Sequence, residues 1–507
     1  MICSDFHTEI KGVSMTHLTQ LRKYSAELVD LHHTLALMQW DQEVRMPRRA
    51  AEGRAGQFAT LSGLVHRREV APELGALLAE VEASKEGLSV EDLALVRVMR
   101  RQYDQNTKLP EEFVSEFSRL ASQAQMSWLE AREQSDFAIF QPLLERLVIM
   151  ARQQAEYLGY ADHPYDALLD LYEEGLTTAQ VEKMFVELQA PLVAMVKKFA
   201  GRLTPLSFGE PFSPAGQEQF AQHLLVAMGF DFSRGCLARS AHPFTTTLGH
   251  HDRRITNRYA PKSLDFIFGA LHEGGHALYE QGIAERLAHS HLDDGVSLGI
   301  HESQSRFWEN VVGRGRPFWQ RFFPELQQSF PAQFAQTDID DFVRGINAVT
   351  PGLIRVDADE LTYNLHVLIR FEIEKALIEG SLEVAALTRV WRDKYRQYLG
   401  VEVESDADGV LQDIHWSHGS FGYFPTYTIG NLAAAQIWEA YRQYDPEFSQ
   451  TIGTGNLEKV QAWLGREIHT HGSVYLPQEL LKRVTGAPLS AQPFLAYLEE
   501  KFTALVA

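Results

Sequence analysis

Apolar residues recur at three- and four-residue spacing through most of this 507-residue chain. That spacing puts one apolar stripe on a helix. It predicts helices over residues 18–37, 91–104, 178–199, 361–379 and 383–399. Val349-Thr350-Pro351-Gly352 and Thr485-Gly486-Ala487-Pro488 read as helix stops, since proline and glycine cannot continue the ladder cheaply. Residues 201–216 are rich in Pro, Gly and Ser, which suits either a boundary between two lobes or a long loop. One stretch leaves the helical period. Phe244-Thr-Thr-Thr-Leu-Gly249, then His250-His251-Asp252, then Arg253 to Tyr259 reads as a β-hairpin. Threonine and isoleucine suit the pleat, and Gly249 with Asp252 suits the turn. Its free edge could pair with an extended peptide, or it could be structural only. The expected fold is mostly α: a single catalytic-sized unit over residues 1–507 with two lobes and one small β-hairpin.

The composition narrows the partners. Hydrophobic residues make up 45% and charged residues 22%, an ordinary globular balance that argues against disorder. Net charge is −20, from 47 basic and 67 acidic residues. An acidic chain without basic runs excludes nucleic acid and anionic membranes as expected partners. Two cysteines, Cys3 and Cys236, supply neither a disulfide framework nor a four-thiolate zinc site. With no signal-like start and no run of ~18 apolar residues, the expected location is the reducing cytoplasm. The first amphipathic pattern begins after Met15, so residues 1–14 read as an extension.

The chemistry lies in Leu271-His272-Glu273-Gly274-Gly275-His276, an HExxH motif. Residues 261–270 before it suit a helix, with Pro261 near the first turn and Phe266, Ile267 and Leu271 on the apolar face. Two histidines four apart on a helix face the same way, and the glutamate beside them can act as base without being a ligand. The spacing therefore predicts His272 and His276 as ligands of a divalent metal and Glu273 as the catalytic base. Gly274 and Gly275 weaken a helix by ~1 kcal/mol each, so a close approach of substrate or backbone is expected there. A third ligand is needed. Glu302, in His301-Glu302-Ser303-Gln304, lies 26 residues after His276 (302 minus 276) and opens another helical stretch through Phe307, Trp308 and Val311. Glu280 reads either as a partner orienting a ligand histidine or as a solvated charge. A helical scaffold with a structural metal is the non-enzymatic alternative, but it has no use for Glu273. A zinc deaminase is excluded for want of its cysteine pair.

These residues belong to an ordered series. His242-Pro243-Phe244, Asp252-Arg253-Arg254-Ile255-Thr256, HExxH, His301-Glu302-Ser303-Gln304, Ile354-Arg355-Val356-Asp357-Ala358-Asp359 and Gly409 to Trp416 resemble the HPF, DxRxT, HExxH, HESQ, IRxxAD and GxxQDxHW motifs of the carboxypeptidase Taq family. The resemblance implies a mostly helical metallopeptidase with a deep groove between two lobes. It implies a homodimer that removes C-terminal residues one at a time, with broad specificity and a stop at proline. Zinc is the expected ion, with cobalt possible. The run from His415 to Tyr427 is rich in His, Tyr and Gly and reads as a site loop. Tyr423 is the expected oxyanion donor, with His415 and Tyr427 beside it. Arg355 reads either as an ordinary ion pair with nearby acids or as the anchor for a peptide's free C-terminal carboxylate, which its planar fork suits and which the IRxxAD resemblance favours. Arg254 is the rival anchor, and His242 is either a substrate-binding or a core histidine. The alternative within peptidases is an oligopeptidase or dipeptidyl carboxypeptidase.

Overall fold

The computed structural model describes residues 2–507, with side chains described from residue 16 onward. The expected extension over residues 1–14 falls outside those described side chains. Helices form most of the molecule, and several begin at a side-chain cap. Ser89 and Asp92 make a reciprocal capping box for Val90–Lys108, as Thr177 and Gln180 do for Thr178–Phe199, satisfying N–H groups that a helix start leaves free. Helices Glu111–Gln134 and Phe137–Leu158 fold back on each other through Ser135, in the left-handed conformation at φ 52°. Helix Pro477–Thr485 stops at Gly486, φ 79°, where glycine bears no Cβ penalty.

Two large apolar cores underlie two lobes. One packs residues 113–199 against residues 349–432 and the last helix, Gln492–Val506. The other packs residues 212–346 against residues 433–481. Residues 201–216 carry the chain from the first to the second, with Phe208 and Phe212 packed into the latter. Helix Pro425–Tyr444 belongs to both cores: Leu432 and Ala435 face one, Ala433, Ala434 and Ile437 the other. A third, smaller core joins the helices of residues 18–99 to Ile283, Leu287, Leu292 and Val474.

The sheet has three strands, β1 (Gly235–Arg239), β2 (Thr245–Gly249) and β3 (Asp252–Asn257), in the order β1-β3-β2. β2 and β3 form the expected antiparallel hairpin, Thr245 opposite Ile255. β1 adds a parallel neighbour that the sequence pattern did not reveal.

Several helix boundaries differ from expectation. The HExxH helix is Asp265–Gly282, so Pro261 lies before it, and its carbonyl accepts from Phe212 N at 2.7 Å. Residues 383–399 divide into a 3-10 turn, Val384–Ala386, and helix Leu387–Tyr398. The Glu302 helix starts earlier, at Leu298, runs to Arg306, and widens into a π turn over Phe307–Val312. No described helix is long and apolar enough to cross a membrane.

Candidate metal centre and substrate groove

The buried side of the HExxH helix carries Phe266, Ile267, Leu271 and Leu278. Its opposite side presents His272 and His276, with ring centroids 4.9 Å apart. Helix Leu298–Arg306 faces it, its start held by Ser297 Oγ accepting from Ile300 N at 3.2 Å. Glu302 Oε2 lies 3.6 Å from His272 Nε2 and 3.4 Å from His276 Nε2. The three donor atoms fall within 4.8 Å of one another. Two imidazole nitrogens and one carboxylate oxygen, converging with one side open to a groove, fit a catalytic zinc-type ion.

Two glycines set that approach. A Cβ on Gly275 would meet Gln304 O at 2.4 Å, and one on Gly430 would meet Glu302 Cγ at 2.5 Å. The HExxH helix and helix Pro425–Tyr444 can close on the Glu302 helix only because both positions lack side chains. Gly274 instead makes room for Leu225 and Met228.

Each candidate ligand is held from behind, as metal-binding histidines are. His272 Nδ1 donates to Glu309 Oε2 at 2.8 Å. Glu309 stands in the π turn, a feature that recurs at functional sites, and it also accepts from Arg306 Nη1 at 3.1 Å. His276 Nδ1 lies 2.6 Å from His301 Nδ1, and His301 Nε2 lies 2.9 Å from Glu280 Oε1. The consistent tautomers run as a relay. His276 donates to His301, His301 donates to Glu280, and the Nε2 lone pair of His276 is left facing Glu302. Glu280 is therefore no solvated charge. It is 2% exposed, accepts from Thr247 Oγ1 at 3.0 Å, and reaches the ligand only through His301. Arg306 Nε donates to Glu302 Oε1 at 2.7 Å.

Electrostatics follow from this burial. Burial raises the Glu302 carboxyl, but Arg306 and His272 outweigh it and hold it well below the usual carboxylate range. Burial pushes His276 down to about 4, which keeps its ring neutral and able to bind a metal. Burial lifts Glu273 above its ordinary value. Its Oε2 accepts from Thr245 Oγ1 of β2 at 2.7 Å, so the hairpin aims the expected base.

A groove of about 530 Å³ opens over the centre. Its walls hold the three ligands, Glu273, residues 243–247 of the hairpin, Asp294, Tyr423 and Tyr427. The Tyr423 and Tyr427 rings sit 5.4 Å apart. His415 is not in the wall; its Nε2 stands 3.2 Å from the Tyr427 hydroxyl, behind it. Their loop is clamped by buried Glu374, which accepts from Trp416 Nε1 at 2.7 Å and Gly422 N at 3.0 Å.

The expected anchors lie outside the wall, and no arginine or lysine lines the groove among the described residues. Arg355 is buried with its guanidinium carbon 4.9 Å from the Tyr427 ring centroid. Its Nε and Nη2 donate to Asp413 Oδ1 at 3.0 and 2.8 Å, and Nη1 donates to the Tyr363 hydroxyl at 2.9 Å. Arg254 pairs with Asp252 at 2.7 Å and covers the Trp40 ring. His242 is exposed, which rules out a core histidine.

Thr245, His301 and Glu309 were not assigned roles from sequence. His301 stood in a recognised motif. Glu309 lies two helical turns past Glu302, a spacing that could have pointed to it.

A mostly helical protein that converges an HExxH pair, a downstream glutamate and a second buried carboxylate on one groove is a metal-dependent peptidase. The model of the carboxypeptidase Taq (M32) metallopeptidase family matches residues 20–502. Carboxypeptidase 1 of Bacillus subtilis (strain 168) is 38% identical over 499 residues, covering 96% of this chain and 99% of that protein. Thermostable carboxypeptidase 1 of Thermus thermophilus is 41% identical over 506 residues, covering 96% and 98%. Among solved structures, the M32 carboxypeptidase of Deinococcus radiodurans R1 superposes with a TM-score of 0.94 at 39% identity, covering 97% of this chain and 99% of that one. The chain belongs to the carboxypeptidase Taq family and is a metallocarboxypeptidase.

Proposed function

We propose that the enzyme releases C-terminal residues one at a time from peptides of broad sequence. In this reading His272, His276 and Glu302 hold zinc and Glu273 is the general base. The observation that carries it is Glu273, aimed by Thr245, standing beside the ligand trio in one groove. Bound there, zinc would supply Lewis-acid polarisation of the scissile carbonyl and a lowered pKa for the attacking water.

Glu273 takes the water's proton and passes it to the leaving amine. Its raised pKa strengthens it as a base and equips it to return the proton. Burial lifts Tyr423 and Tyr427 above the ordinary tyrosine value, so both hydroxyls stay protonated. They are the groove's hydroxyl donors, Tyr423 for a developing oxyanion and Tyr427 for the substrate's terminal carboxylate. His415 positions the Tyr427 hydroxyl rather than touching substrate. The free edge of β2 supports an extended peptide by backbone pairing.

Arg355 supplies the positive charge that selects a free C-terminus. Nη1 and Nη2 each keep a second N–H beyond those given to Tyr363 and Asp413. Arg254, tied to Asp252, and exposed His242 are the weaker candidates for substrate contact. We further propose a cytoplasmic homodimer, testable by sedimentation.

The test is mass spectrometry of N-terminally blocked peptides incubated with zinc-loaded protein. A ladder of single-residue losses from the C-terminus is expected. Losses in two-residue steps would establish the dipeptidyl carboxypeptidase reading instead.

A further inference from the structure

The turn of the hairpin carries two histidines that catalysis does not use. His250 Nε2 lies 3.2 Å from Glu285 Oε2, and His251 Nε2 lies 3.4 Å from Glu285 Oε1. The donor atoms of the three residues fall within 4.8 Å of one another. These distances parallel the 3.6 and 3.4 Å of the catalytic trio.

The likeness extends behind the first histidine. His250 is buried, and its Nδ1 lies 2.9 Å from Asp293 Oδ1, as His272 is held by Glu309. A histidine that gives its Nδ1 proton to a buried carboxylate presents Nε2 as a lone pair, the arrangement metal-binding histidines adopt. Asp293 is itself fixed by Arg253 Nη2 at 2.7 Å. Arg234 Nη2 donates to His250 O at 3.0 Å and pins the turn. An ordinary surface ion pair needs one imidazole and one carboxylate. Here two imidazoles, with centroids 4.8 Å apart, share the two oxygens of one glutamate.

We propose that His250, His251 and Glu285 form a second divalent-cation site, of zinc class, apart from the catalytic centre. Two nitrogens and one oxygen suit zinc, cobalt, nickel or copper rather than magnesium or calcium. His251 is 60% and Glu285 72% exposed at the side chain, so the remaining positions take water and the ion exchanges freely. The site is a clip. It ties the turn between β2 and β3 to the 3-10 turn Glu285–Leu287, just past the end of the HExxH helix at Gly282. Thr245, which aims Glu273, stands at the opposite end of β2 from the clipped turn.

Untagged, metal-free protein titrated with zinc alone should take up two ions per chain, counted by elemental analysis and calorimetry, the second weaker. The double variant His251→Ala with Glu285→Gln should lose that second ion and keep full peptidase activity when zinc-loaded. Both substitutions are at exposed side chains, so folding is retained. In a His272→Ala, His276→Ala background one ion should remain, and it should vanish when the other pair is added. A single ion per parent chain under zinc excess overturns the proposal. So does a second ion that survives the His251→Ala, Glu285→Gln change. If the catalytic-site background fails to fold, the comparison of parent with His251→Ala, Glu285→Gln decides alone.

Discussion

Glu273 and Glu302 are both buried carboxylates beside the same two histidines, yet their surroundings divide their work. Arg306 keeps Glu302 ionised, as the proposed ligand role requires, whereas Glu273 has a threonine hydroxyl and a raised pKa. Glu273→Gln should therefore retain zinc and lose at least ~10²-fold in kcat, read by metal content and peptide hydrolysis. Glu302→Ala should lose the zinc itself. Glu309→Gln, which weakens the support of His272, should lower zinc affinity by ~10–100-fold, read by competition with a chromogenic chelator. His272, His276 and Glu273 could be named from sequence because helical spacing fixes their relations over a short span, and Glu302, on a second helix, because of its motif. Thr245 and Glu309 were not, because their partners are 28 and 37 residues away and only tertiary packing brings them together. Arg355 was named from its motif, but its pairing with Asp413, 58 residues away, was not legible for the same reason.

Between elements, the centre depends on how closely two ligand-bearing helices can approach. The glycine pair in the HExxH helix suggested a close approach without naming the neighbour. Gly275 faces the backbone of Gln304 and Ser305, not substrate. Gly275→Ala should thus act against propensity. Alanine favours a helix by ~1 kcal/mol over glycine, but its Cβ would meet Gln304 O at 2.4 Å. The variant should show a lower melting temperature and weaker zinc binding, whereas a half-buried Gly465→Ala control, with nothing within 4 Å, should not. The hairpin was legible from its β-branched residues. Strand β1 was not: Gly-Cys-Leu-Ala-Arg is short and shows no clean alternation, and its pairing with β3 is parallel and non-local. The start of the HExxH helix was misread because Pro261 belongs to a loop tied to Phe212, and the nearer signal is Ser263 Oγ accepting from Asp265 N at 3.1 Å.

At the scale of the molecule, the groove lies where the two lobes meet, and buried Glu173 ties them together. It follows the first lobe's helix Pro164–Leu169 and accepts from Gly299 N in the Glu302 helix. Burial pushes its carboxyl up to about 7. The folded state thus holds this proton more tightly than the unfolded chain. The stability it contributes is full below ~4.5 and is lost as pH rises through about 7, on the order of 3 kcal/mol in the limit. Glu173→Gln stays neutral, so its melting temperature relative to the parent should rise between pH 5 and pH 8. An unchanged difference across that range would contradict the reading. The sequence implied two lobes through its family motifs. It could not show which residues bridge them, because Glu173 carries no motif and its role comes from burial alone.

Selection of a free C-terminus is the point on which the whole enzyme's function turns. Matched blocked peptides, one ending in a free carboxylate and one in an amide, should be compared by kcat/KM with the parent and with Arg355→Lys. The parent should strongly prefer the free acid, and Arg355→Lys, which keeps the charge but loses the spare N–H groups of Nη1 and Nη2, should raise KM for that peptide by roughly tenfold or more while barely changing the amide. Equal cleavage of the two peptides by the parent protein would contradict carboxypeptidase action through this groove.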